Sequence, residues 1–157
     1  MSAIVSRIIE VCVFKREGPV PRYLLLRRSN DDRIYPGIWQ LVTGTMKEGE
    51  TAVNAAIREL AEESGLKPGR LWVAPHVSTF YVADDDTVHL SPLFAVEVSG
   101  SDHLQLSKEH QAFGWYSYEE AQGMLVWPGQ RRGLEIVQQY ITDDEKAAEL
   151  TLLLPLP

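Results

Sequence analysis

Glu59, Glu62 and Glu63 stand at i, i+3 and i+4 in the run Arg58-Glu59-Leu60-Ala61-Glu62-Glu63-Ser64-Gly65-Leu66. On a helix turning about 100° per residue the three carboxylates share one side. Like charges so placed repel by a few tenths of a kcal/mol per pair, so the arrangement is favourable only where a cation or solvent answers it. Carboxylate oxygens are hard donors suited to magnesium or manganese, and magnesium typically binds through one or two carboxylates together with substrate phosphates and water. The chemistry indicated is cation-assisted attack of water on a phosphate derivative. A solvated acidic helix face is the ordinary fate of an isolated Glu cluster, and it is the spacing around this cluster that argues otherwise.

The element that must carry these side chains is a helix from Thr51 to Ser64. Ala52, Ala55, Ala56, Leu60 and Ala61 favour it, no Pro interrupts it, and Gly65 followed by Pro68 ends it. Thr51 suits the N-cap, but Asn54 stands where a capping box would need Glu or Gln. The projection puts Val53, Ile57, Leu60 and Ser64 on a packing face, and Ala52 and Ala55 among the carboxylates, where small side chains leave room for a hydrated metal-phosphate group. Strands are expected at Ile8–Phe14, Tyr23–Arg27, Leu71–Phe80, Thr87–Val98 and Phe113–Tyr116, with Ala83–Asp86 as a hairpin turn. Residues 30–37 form a loop that delivers Trp39. Ser117-Tyr118-Glu119-Glu120 opens a helix as a capping box, and a further helix runs from Gln130 to Ile141 after Pro128-Gly129. Mixed strands with helices on two sides indicate an α/β sandwich.

Gly44, Glu50, Arg58, Glu59, Leu60, Glu62, Glu63, Gly65 and Leu66 fill every specified place of a pattern that spans residues 44–66 and resembles the signature of the Nudix hydrolases. Members of that family cleave a nucleoside diphosphate linked to another group X. Outside the signature, Leu24–Arg28, Trp39–Thr45, and Glu109-His110 followed by Trp115 are similar to the subgroup acting on dATP-type and dihydroneopterin triphosphates, which extends the comparison over residues 5–140. The resemblance implies an αβα sandwich with a mixed β-sheet between helices, and residues 1–157 as a single Nudix domain with a short apolar tail from about residue 142. It implies a magnesium- or manganese-dependent pyrophosphohydrolase that converts a nucleoside or dihydroneopterin triphosphate into monophosphate and pyrophosphate. The alternatives are a Nudix hydrolase of another nucleoside diphosphate derivative, such as a dinucleoside polyphosphate, for which Tyr81 is a hint, and a non-catalytic nucleotide-sensing module.

Within that comparison Glu59 and Glu63 are the expected metal ligands. Glu62 beside them is either a ligand, through water, or the base that activates the nucleophile. The resemblance places a further metal-binding or proton-accepting carboxylate at Glu109. Arg58 is expected to pair with Glu62 or Glu50 and fix their rotamers. Gly44 is expected to supply a positive φ, or a carbonyl close to the metal, that a Cβ would obstruct. Arg27, at the end of a strand, is the candidate phosphate contact, because a guanidinium fork holds two oxygens at once. Thr43 offers a hydroxyl or amide to the substrate, and Trp39 and Tyr81 could stack on a base.

Composition sets bounds on the partners. A net charge of -7 and a pI near 5.1 argue against a nucleic-acid polymer, which needs a basic stripe, but not against a small phosphorylated substrate arriving with its metal. With 157 residues and 45% hydrophobic content the chain suits one core. Cys12 is alone, so no intrachain disulfide forms, and its apolar run suits a buried thiol in a reducing compartment. No stretch approaches the ~20 apolar residues that span a bilayer, and the N-terminus lacks a leader pattern, so the expectation is a cytoplasmic protein without a membrane partner. The apolar stretch from Leu150 to Pro157 is expected to pack, either on the domain's own core or on the partner subunit of a homodimer. His76, His89, His103 and His110 lack metal-ligand spacing and read as surface or hydrogen-bonded histidines.

Overall fold

Alternating apolar runs build a mixed sheet whose two faces are buried by helices. The structure, a computed structural model, describes residues 1–100 and 103–153. In chain order the elements are β1 (Ala3–Val5), β2 (Ile8–Arg16), β3 (Pro21–Arg28), β4 (Trp39–Gln40), β5 (Val42–Thr45), α1 (Ala52–Ser64), β6 (Arg70–Val82), β7 (Thr87–Glu97), β8 (His110–Tyr116), α2 (Tyr118–Met124) and α3 (Pro128–Val137). A π-helical turn (Gln138–Thr142) and α4 (Glu145–Thr151) complete the fold. No helix among the described residues is long and apolar enough to cross a membrane.

Strand β2 is central. It runs parallel to β7, pairs antiparallel with β3 near Phe14, and pairs antiparallel with β5 over Ile8–Val11. Strand β3 carries β8 on its other edge and β4 beyond β2, while β7 pairs β6 along the hairpin and β1 at its start. Strands β2 and β3 therefore diverge, and the chain from Trp39 to Thr45 crosses the gap. Trp39 and Gln40 pair with β3, and Val42 to Thr45 pair with β2. Leu41 sits at the crossing, fully buried and outside both registers.

The period of two in these strands sorts the core. Ile9, Val11, Val13, Leu24, Leu26 and Val42 face α1. Cys12, Phe14, Tyr23, Leu25, Trp72 and Leu93 face α2, α3 and α4. This is the expected αβα arrangement. The strands and the hairpin fall where patterning puts them, and Ser117 and Glu120 form the reciprocal capping box. The C-terminal segment differs from a bare apolar tail: Asp144 caps α4, Ala148 is buried, and Leu152 pairs with Trp72 as Leu153 N–H donates to Leu71 O at 3.0 Å. The last four positions, 154–157, lie outside the described residues.

Candidate active site

The helix that carries the acids is fixed at both ends. Thr51 Oγ1 accepts from Asn54 N–H at 3.3 Å, and Gly65 closes the helix at φ 71° with its N–H on Ala61 O at 2.8 Å. Its faces differ from the simple projection in two places. Ala55 is fully buried and Ala52 packs against the same apolar cluster, so neither opens space beside the carboxylates. Glu63, projected onto the charged side, is 3% exposed. The physical reason is its position three residues after Leu60 and seven after Ala56, which places it over the edge of the apolar stripe.

Arg58 organises the exposed rim. It grips Glu50 bidentately, Nε to Oε1 and Nη2 to Oε2, both at 2.8 Å. Its Nη1 donates to Glu59 Oε1 at 2.6 Å and Glu62 Oε2 at 3.1 Å, and Nη2 reaches Thr45 O at 2.9 Å. The expected pairing with Glu62 or Glu50 is thus a junction with both and with Glu59. The Arg58 guanidinium, followed by the Lys47 amide, holds the Glu50 carboxyl down to about 2. Glu62 is half exposed and also lies 3.9 Å from Lys47 Nζ.

The inner acids are in the opposite electrostatic condition. Burial pushes Glu63 up to about 9, and the charges of Glu59 and Glu109 push the same way, against a hydrogen bond from Thr43 N–H and the charge of Arg28. Burial likewise raises Glu59, opposed by Arg58 and reinforced by Glu62 and Glu109. Glu63 Oε2 is buried without a hydrogen-bond partner. Glu109, in the exposed turn before β8, is felt by both inner acids. A Cβ on Gly44 would overlap Glu59 Cγ and Cδ. Gly44 is therefore required for this close approach, and its φ lies outside the left-handed region that a positive-φ role would need.

Among the described residues no three carboxylate, imidazole or thiol groups converge closely enough to enclose a metal as they stand; Arg58 draws Glu59 and Glu62 to itself. The donor set nevertheless fits a hard divalent cation. It consists of carboxylates alone, one oxygen of Glu63 is buried and unpaired, and the carboxyls of Glu59, Glu63 and Glu109 bear on one another electrostatically.

Arg27 falls on the sheet face away from α1, with Nε donating to Gly37 O at 3.0 Å. The basic side chain whose charge reaches Glu63 is its neighbour Arg28, which follows Leu24 and Leu26 on the α1 side of β3 and pairs with Asp32. The Thr43 amide is engaged by Glu63, and its hydroxyl donates to Leu41 O at 3.1 Å. Trp39 packs edge-on against Tyr116, and the exposed Tyr81 donates to Asp86. A more exposed aromatic pair is Tyr35 and Trp127, edge to face at 4.7 Å. Two histidines depart from a surface reading: His89 and His110 are buried, with Nε2 near Thr87 Oγ1 and the Gln40 amide respectively. A local signal does mark Arg28: it continues the alternation of Leu24 and Leu26, which face α1, whereas Arg27 continues that of Tyr23 and Leu25.

A family model described as the NUDIX domain matches residues 6–140. The octanoyltransferase of Myxococcus xanthus is 33% identical over 126 residues, which are 80% of this chain and 34% of that protein. The dihydroneopterin triphosphate diphosphatase of Escherichia coli K12 is 40% identical over 60 residues, 38% of this chain and 37% of that protein. Among solved structures, the C. elegans Ap4A hydrolase in a binary complex superposes with a TM-score of 0.73 at 22% identity, covering 88% of this chain and 98% of that one, a likeness of fold. The chain's matches span 34%, 57% and 37% of the length of three of the curated relatives.

Proposed function

The chain belongs to the Nudix hydrolase family, and from that premise we propose that it is a divalent-metal-dependent pyrophosphohydrolase acting on a nucleoside or dihydroneopterin triphosphate. Water adds across one phosphoanhydride bond and the products are a monophosphate and pyrophosphate. The observation that carries this reading is the buried, unpaired oxygen of Glu63 beside Glu59 and Glu109. A protein gains nothing from leaving such a group uncompensated unless a ligand completes it.

Glu59 and Glu63 are assigned as ligands of magnesium or manganese, with Glu62, Glu109 and the Gly44 carbonyl as further donors. The cation, when bound, neutralises charge on the phosphate oxygens and lowers the pKa of a water. The chain's own groups do the rest. Glu62 and Glu109 are exposed and are the carboxylates able to take the proton from the attacking water and pass it to solvent. Arg58 keeps Glu59 and Glu62 at the rim and ties them to the strand through Thr45 O. Gly44 lets Glu59 lie against the strand backbone. Arg28, whose charge reaches Glu63, and Arg27 on the other face of β3 are assigned to the triphosphate chain, and the exposed Tyr35–Trp127 pair is the candidate platform for its base or pterin.

We infer one catalytic domain over residues 1–157 with a docked C-terminal segment, working in the cytoplasm on a small-molecule substrate. The deciding measurement is release of pyrophosphate and of phosphate with magnesium across dATP, dGTP, dihydroneopterin triphosphate and diadenosine tetraphosphate. Pyrophosphate from a triphosphate, abolished by EDTA, is the expected result. Turnover of diadenosine tetraphosphate alone would move the assignment to dinucleoside polyphosphates, and no magnesium-dependent turnover of any of the four would overturn the reading.

A further inference from the structure

Strand β5 is short, and each of three consecutive residues in it holds one functional side chain of α1. Thr43 N–H donates to the Glu63 carboxyl, Gly44 backs the Glu59 side chain, and Thr45 O accepts from Arg58. The position of this strand therefore sets the mutual placement of both inner acids. One edge of β5 is fixed by β2. The residue just before it, Leu41, lies between the registers with β3 and β2 and belongs to neither, which leaves a buried amide that must find a partner.

Gln130 supplies it from across the sheet. This side chain, on the first turn of α3 and 6% exposed, accepts Leu41 N–H on Oε1 at 3.3 Å and donates from Nε2 to Thr43 Oγ1 at 3.4 Å. It thus clasps the chain on both sides of Val42, from the face opposite α1. Buried Glu10, opposite Thr43 in the β2–β5 register, bonds to Gln130 and to Ser78 and so holds the amide in place. The side chain reaches through the sheet in effect: Gln130 fixes Thr43, and the Thr43 backbone fixes Glu63.

We propose that Gln130 is a positioning residue for the metal-binding carboxylates, acting through the β5 backbone. The inference rests on the assignment of Glu59 and Glu63 as ligands. Three variants test it: Gln130→Met, which keeps length and apolar volume, Gln130→Glu, which keeps an acceptor for Leu41 N–H, and Glu63→Gln. For each, manganese affinity is measured by titration calorimetry, kcat and KM are measured for whichever nucleotide of the panel above is turned over, and melting in EDTA verifies the fold. Gln130→Met is expected to weaken manganese binding about tenfold and lower kcat about tenfold with KM within about twofold, the range found when a partner of a metal ligand is lost. Gln130→Glu should recover part of both. A lowered melting temperature with unchanged manganese affinity and kcat would reduce Gln130 to a structural side chain and overturn the proposal. If Gln130→Met does not fold, Thr43→Val removes the hydroxyl that Gln130 reaches while keeping the β-branched shape and the amide; unaltered manganese affinity there refutes the linkage. Should Glu63→Gln itself bind manganese and turn over normally, the ligand assignment has failed, and the positioning role falls with it; loss in Glu63→Gln with no change in Gln130→Met condemns the positioning role alone.

Discussion

Replacing Glu63 by glutamine should make the metal-free protein more stable while removing its activity, and the gain should grow with pH. In the fold the carboxyl is pushed up to about 9, chiefly by burial, from an ordinary 4.5. A group raised in this way contributes fully below its unfolded value and loses that contribution as pH rises toward the folded one. At pH 7 it stays protonated in the folded protein but ionises on unfolding, so the cost depends on the distance from 4.5 to 7 and not on the precise upper value. At about 1.36 kcal/mol per pH unit that distance is worth about 3.4 kcal/mol, a ceiling reduced by coupling to Glu59 and Glu109. A glutamine avoids the titration but leaves an amide hydrogen without a partner, which returns about 1–2 kcal/mol. The net expectation at pH 7 is a gain of about 1–2 kcal/mol. The assay is urea denaturation in EDTA from pH 5 to pH 8 for both proteins, with the difference in unfolding free energy plotted against pH. Titrating groups that do not interact with Glu63 cancel in that difference. Widening by at least about 1 kcal/mol over the interval supports the reasoning; a flat or narrowing difference refutes it, because Glu63 would then be ionised in the fold.

Gly44→Ala places a methyl where the Glu59 side chain lies; displacement of that carboxylate should lower kcat by tenfold or more, roughly, and cost about 1–3 kcal/mol, read by steady-state kinetics and denaturation. His110 is buried and pulled down to about 4 from 6.5, mainly by burial and then by Arg28. Its contribution to stability is therefore present above 6.5 and lost as pH falls toward 4, so between pH 7 and pH 5 the parent should lose up to about 2 kcal/mol more than His110→Asn in EDTA; parallel pH profiles would argue against a neutral His110. Deleting everything after Asp144 uncovers Trp72 and Leu71, which Leu152 and Leu153 contact, and should lower stability by about 2–5 kcal/mol; an unchanged melting temperature would show that α4 adds nothing to the core.

Much of this was legible from spacing, because the features concerned are local. The 44–66 pattern, the α1 caps, the 83–86 turn and the Ser117 capping box each depend on residues within a few positions of one another. Strands β1 and β4 and the junction at Leu41 were not legible: they are two or three residues long, or are defined by where two partners diverge, and neither property leaves a period to read. Helix α4 had a signal that the apolar tail obscured, namely Asp144 before the helix-favouring run Glu145-Lys146-Ala147-Ala148-Glu149-Leu150. At the site, helical projection placed Glu59, Glu62 and Glu63 correctly relative to one another but gave no sign that Glu63 is buried, because the depth at which α1 sits against β5 is set by Gly44 and by the partners of Thr43. The alternation of β3 was local and legible: after Leu24 and Leu26 it puts Arg28 on the α1 side and Arg27 on the other.

The bond from Leu153 to Leu71 lies on the outer side of β6, which pairs with β7 on its other side and has no further full strand beside it among the described residues. An open strand margin is a template for a second chain to add its own backbone. Here the first residues of that margin are occupied by the chain's own C-terminal segment, and the next carry a register irregularity and Pro75, which has no amide to offer. A segment that looks at first like surplus apolar chain thus acts as a guard against sheet-to-sheet accretion, and proteins shortened at this end should be the ones that precipitate on concentration.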